Sequence, residues 1–91
     1  MKELKKLALI LRALGIEANV VSGQITCNDV VICNNTYCVC CKGSVHFDIW
    51  HDDCFELHFT FKNTLVYDTL YLDSLVQVVS EVTSTIAKFE W

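Results

Sequence analysis

From Cys54 to Lys62 the side chains alternate without a break, Phe55, Leu57, Phe59 and Phe61 against Glu56, His58, Thr60 and Lys62. Only an extended strand with one dry and one wet face satisfies that order; a helix would scatter the phenylalanines around its axis. The same two-residue period runs more loosely back to Gln24. The middle of the chain is therefore expected to form a one-sided sheet, with a buried phenylalanine face and a second face that collects cysteine, histidine and carboxylate.

A one-sided sheet needs a cover, and both ends of the chain supply one. Leu4, Leu7, Ala8, Leu11 and Leu14 recur at the spacing of a helix face, and Gly15 follows as the residue able to close that helix in a left-handed conformation. Ser74-Leu75-Val76-Gln77 fits a capping box, after which Leu75, Val78, Val79, Val82, Ile86 and Phe89 keep helical spacing despite many β-branched residues. Strands are expected at 17–22, 25–33, 36–41, 45–50 and 54–62, with 65–72 either a last strand or an extended crossing segment. Gly23 turns the chain, Asn34-Asn35 makes a two-residue hairpin, and Lys42–Ser44 and His51–Asp53 make three-residue connections. The expectation is a single α+β domain over residues 1–91. It has an N-terminal helix, an antiparallel sheet of four to five sequential strands (six at most) and a C-terminal helix, with both helices on one face of the sheet.

Size and charge narrow the function classes. Ninety-one residues make one domain, and 53% hydrophobic against 20% charged residues is apolar for so small a body, so some of that surface is expected to meet another molecule. The chain has no proline and three glycines, and no stretch reads as a linker. Of its seven basic residues, Lys2, Lys5, Lys6 and Arg12 stand in the first twelve positions, and the remainder is acidic, within a net charge of −4. That balance argues against general nucleic-acid binding. Contact of the first helix with a phosphate backbone or an anionic surface is a minor alternative to a plain solvated helix face. Arg12 interrupts the apolar run Leu7–Leu11, so the first residues read as a mature amphipathic helix rather than a secretory signal. Nothing approaches the roughly 20 apolar residues that span a bilayer. A cytoplasmic protein is expected, with Cys27, Cys33, Cys38, Cys40, Cys41 and Cys54 reduced. Asn34-Asn35-Thr36 matches a glycosylation sequon but reads here as a turn.

With those turn lengths, Val30, Ile32, Tyr37, Val39 and Cys41 share the core face with Val45, Phe47, Ile49 and the phenylalanines of 55–61. The open face then carries Asp29, Cys40, His46 and His58 in one row, with Cys38, Asp48 and Glu56 beside it. Neighbouring strands place such side chains about 5 Å apart, near enough for cysteine and histidine to share zinc. Cys38, Cys40, His46 and His58 are accordingly the candidate metal ligands, against the tendency of side chains on a flat sheet to run parallel rather than converge. Cys38 and Cys41 form a CxxC spacing, but within a strand they face opposite ways. Cys40 beside His46 raises nucleophilic catalysis, yet no oxyanion donor or glycine-rich loop accompanies the pair, and no catalysis is expected.

Val31, Asp48, Trp50, Asp52, Asp53 and Glu56 are the candidate interface residues, since an open tryptophan framed by charge is typical of protein contacts. A two-fold homodimer stacking its open faces would bury them. The leading expectation is a small non-catalytic protein-binding module, an inhibitor or adaptor; a zinc-binding or metal-sensing protein is the alternative. Being short, acidic and free of catalytic motifs, the chain is similar in composition to small phage and mobile-element proteins that block host defence, anti-CRISPR proteins among them. That likeness carries no residue over.

Overall fold

The computed structural model describes residues 2–27 and 30–90, and the side chains of 23–35 and of Asp68 are outside that description. The elements run α1 (Lys2–Ala13), β1 (Glu17–Cys27), β2 (Val30–Lys42), β3 (Val45–His51), β4 (Phe55–Phe61), β5 (Thr64–Leu72) and α2 (Leu75–Phe89). The strands form one antiparallel sheet in the order β1-β2-β3-β4-β5. Both helices pack on its phenylalanine face, giving the expected α+β architecture.

Each helix ends for a local reason. After α1 the Ile16 N–H donates to the Leu11 carbonyl (3.0 Å) and the Gly15 N–H to the Arg12 carbonyl (3.0 Å), while Gly15 takes φ +82°. That is the Schellman pattern, completed by the burial of Leu11 and Ile16. At α2 the capping box is present in full: the Gln77 N–H donates to Ser74 Oγ and the Ser74 N–H to Gln77 Oε1. Periodicity overrides the weak helix propensity of α2 because Val78, Val82 and Ile86 are fully buried against the sheet.

The core is a single layer between the helices and the sheet. Leu4, Leu7 and Leu11 of α1 and Val78, Val82 and Ile86 of α2 close over Phe47, Ile49, Phe55, Leu57 and Phe59. Phe47 and Phe59 face each other across β3 and β4 with ring centroids 4.9 Å apart. Phe89 closes the layer against Phe59 and Phe61. The 65–72 segment resolves as the edge strand β5, joined to β4 by Lys62-Asn63. Both of these residues have positive φ (51° and 64°), the pattern of a type I′ hairpin.

The connections differ from the expectation. Asn34 and Asn35 lie inside β2, paired with Gln24 and Gly23, so Gly23 and Asn34-Asn35 are not turns: 17–22 and 25–27 run on as β1, and 30–33 belongs to β2. The register runs on to Cys27↔Val30, and residues 28–29 lie outside the described residues. β1 and β2 pair over eleven positions, more than a turn at Asn34-Asn35 allows. The second difference is at β2–β3, where Lys42 pairs with Val45 across a two-residue turn, Gly43-Ser44, in place of three residues. Gly43 takes φ +61°, as the first central residue of a tight hairpin turn demands. Its lack of a side chain also leaves room for the Glu90 carboxylate, which accepts from the Ser44 N–H (2.6 Å) and ties the turn to the end of α2.

Shortening that connection by one residue moves the β2 side chains of residues 36–41 to the other face. Cys38 and Cys40, expected on the open face, are buried in the core opposite Ile49 and Phe47. Tyr37, Val39 and Cys41, expected in the core, are only half-buried and lie opposite it.

Candidate functional site

The face not covered by helices is built from register pairs. Cys41 stands opposite His46, Val39 opposite Asp48, Asp48 opposite His58, and Trp50 opposite Glu56, which in turn faces Tyr71 on β5. Paired residues of an antiparallel ladder share a face, so these side chains form one surface. Tyr37 stacks on Trp50 with centroids 5.0 Å apart and planes 25° from parallel, and His58 meets the same indole edge-on at 4.6 Å. Trp50 is thus held within the open face and is not a satellite of the core.

Histidine and carboxylate pair along each strand. His46 Nε2 lies 3.0 Å from Asp48 Oδ1, and His58 Nε2 lies 2.8 Å from Glu56 Oε2, each pair two residues apart and therefore on the same face. On β5 Tyr71 faces Glu56, whose charge is the first cause of a raised Tyr71 pKa. Asp52 and Asp53 stand exposed in the turn just beyond. Trp50, Asp52, Asp53, Cys54, Glu56 and Tyr71 line a cavity of about 200 Å³ at this end of the sheet.

The candidate metal ligands are not brought together. His46 and His58 lie on the open face and Cys38 and Cys40 under the helices, so no ion reaches both sets. Among the described residues no group of three or more histidine, cysteine or carboxylate side chains is placed to hold a metal ion. Burial pushes the Cys38 thiol up to about 11 and raises Cys40 further, the direction that disfavours the thiolate a metal requires. Asp29 lies outside the described residues, as do the side chains of Cys27, Cys33 and Val31.

The register replaces Cys40 with Cys41 as the neighbour of His46, and Asp48 orients the imidazole as a third member would. The surroundings oppose nucleophilic use. Partial burial and the Glu17 carboxylate, 3.8 Å from Cys41 Sγ, both raise this thiol's pKa, whereas an activated cysteine needs it lowered.

Of the expected interface residues, Asp48, Trp50, Asp52, Asp53 and Glu56 do gather on or beside the open face. Tyr37, Cys41 and Tyr71 belong to it too and were missed; the Gly43-Ser44 dipeptide was the signal for the first two, because it alone sets the parity of β2. No family model matches the chain, and no curated protein or solved structure matches it either. Among the described residues no helix is long and apolar enough to cross a membrane.

Proposed function

We propose that this protein is a small non-catalytic protein-binding module, an inhibitor or adaptor, whose partner seats on the open face of the sheet. The observation that carries the reading is the Tyr37–Trp50–His58 cluster, fixed by ring contacts on the one sheet face that neither helix covers. Tyrosine and tryptophan are the residues that anchor protein interfaces, since each offers a large contact area at little cost in side-chain freedom. Here the rings are already ordered by one another, so a partner does not have to order them. The compositional likeness to phage proteins that block host defence fits an inhibitor, and it is the role this reading carries.

Charge gives the partner's character. Of eleven carboxylates, Asp48, Asp52, Asp53 and Glu56 lie in residues 43–61, a stretch with no lysine or arginine, and the other seven are matched by the seven basic residues of the chain. The whole net charge of −4 thus resides in the β3–β4 hairpin. A partner meeting this face is expected to be basic.

A photo-reactive benzoylphenylalanine placed at Thr60 on the open face, or at the exposed Ala87 of α2, tests the reading in lysate of the cells that carry the protein. A discrete adduct from the Thr60 position alone is expected, suppressed by excess unlabelled wild-type protein but not by a Trp50→Thr variant. Equal labelling from both positions, or competition by the variant as strong as by the wild type, refutes it.

A further inference from the structure

The cavity of about 200 Å³ at the end of the β3–β4 hairpin joins two kinds of wall, the rings of Trp50 and Tyr71 and the carboxylates of Asp52, Asp53 and Glu56. We infer that it receives the guanidinium of an arginine side chain from a basic partner, an inference that rests on the reading of the open face as a protein-binding surface.

A carboxylate cluster alone would attract any cation and specify none. The aromatic walls make the difference, because a guanidinium is planar, weakly hydrated and able to lie against a ring while its N–H groups meet carboxylates. An ammonium is a compact, strongly hydrated charge that uses the rings less well. The site is also ordered in advance. Trp50 is clamped between Tyr37 and His58, and Glu56 is held by His58 at 2.8 Å. Each carboxylate keeps lone pairs for a further donor, and among the described residues no basic side chain lines the cavity. The opening is far smaller than a drug-sized pocket of about 300–1,000 Å³, which suits one side chain rather than a whole ligand.

The probe is a capped tetra-arginine peptide, compared with capped tetra-citrulline, its uncharged analogue of nearly the same shape, and with capped tetra-lysine. Binding is read from backbone amide shifts of the full chain. Tetra-arginine is expected to move the signals of Trp50, Asp52, Asp53, Glu56 and Tyr71, to weaken as salt rises, and to bind several-fold tighter than tetra-lysine. Tyr71→Leu, at a position 59% exposed, is expected to keep the fold and lower the tetra-arginine affinity about two- to fivefold, the worth of an exposed cation–π contact. Asp52→Asn with Asp53→Asn is expected to flatten the salt dependence. Equal binding of tetra-citrulline or tetra-lysine, shifts centred elsewhere, or no effect of Tyr71→Leu overturns the inference. The crosslink from Thr60 does not depend on the peptide, so its persistence beside a failed peptide titration condemns the arginine pocket and leaves the open face standing.

Discussion

Exchanging one sulfur for oxygen at two adjacent cysteines tests the register of β2 directly. Cys40 is 1% exposed and is packed between Ala18 and Phe47, its ladder partners on either side. Cys41, one residue on, is half-buried on the open face beside His46 and Glu17. A thiol is content in an apolar core, whereas a hydroxyl there needs a hydrogen-bond partner. In Cys40→Ser the backbone around the new hydroxyl is already engaged by two ladders and the neighbouring side chains are apolar, so the cost is about 1–3 kcal/mol for an unsatisfied buried hydroxyl. In Cys41→Ser the hydroxyl reaches water and the Glu17 carboxylate, and the change stays within about 0.5 kcal/mol, as at most surface positions. With a urea slope near the low end of about 1–3 kcal/mol/M for a small domain, the Cys40 variant should unfold at a midpoint about 1–2 M lower and the Cys41 variant at nearly the wild-type midpoint. Urea titrations followed by far-UV circular dichroism at pH 7 under reducing conditions supply the numbers. Equal costs at the two positions, or a larger cost at Cys41, refute the two-residue Gly43-Ser44 turn and with it the composition of both faces.

Phe59 stacks on Phe47 at 4.9 Å and touches the rings of Tyr67 and Phe89, so Phe59→Ala should cost about 3–5 kcal/mol, a large share of the stability of such a domain, measured by the same titration. Gly43→Ala should cost about 1–2 kcal/mol, because alanine is strained at φ +61° and its methyl displaces the Glu90 carboxylate from the Ser44 N–H; the cost in a Glu90→Gln background tells whether the two losses are coupled. Alkaline pH should destabilise the fold. Burial lifts the Cys38 pKa from 9.0 to about 11 and moves Cys40 and Tyr67 the same way. Groups that hold their proton more tightly when folded stabilise the native state fully below their unfolded values, and that stability is lost as pH rises from 9.0 towards 11. The urea midpoint should fall between pH 8.5 and 10.5, less steeply in a Cys38→Ala, Cys40→Ala double variant.

How far the chain can be read by eye depends on what fixes each feature. The helices were legible because their signals are local: Gly15 after a leucine stripe, and Ser74 with Gln77 at the start of another. The phenylalanine face of β3 and β4 was legible because a three-residue connection between them keeps parity; the loop comprises Asp52, Asp53 and Cys54, one residue later than expected, and that shift moves neither strand to a different face. Parity failed at β2, where it depends on whether Lys42 ends a strand or opens a turn. Cys38–Cys41 alternates no better in one phase than the other, since valine and cysteine are acceptable on either side of a sheet. Only the length of the Gly43-Ser44 turn breaks the tie, and Glu90, forty-six residues later, supports it through the Ser44 amide. A contact so distant along the chain leaves no local pattern.

The same tie explains why the expected metal ligands fell on two faces while the expected interface residues of β3–β4 stayed together. Every proposed metal set combined β2 with β3 and β4, so a one-residue slip in β2 separated cysteine from histidine at once. The interface residues Asp48, Trp50, Asp52, Asp53 and Glu56 all belong to the single hairpin β3–β4, whose faces the strong phenylalanine alternation had already determined. The slip did not disturb that hairpin; it brought Tyr37 against Trp50, where the longer connection would have set Thr36. The corrected register makes this surface more aromatic, and four carboxylates of its hairpin stand in a stretch without lysine or arginine, which is what the proposed basic partner rests on. Exchanging Cys38 and Cys40 for Tyr37, Val39 and Cys41 leaves one β2 thiol on that face, too few soft ligands for the expected zinc set, and adds a ring beside the carboxylates, the groups by which a protein holds a guanidinium.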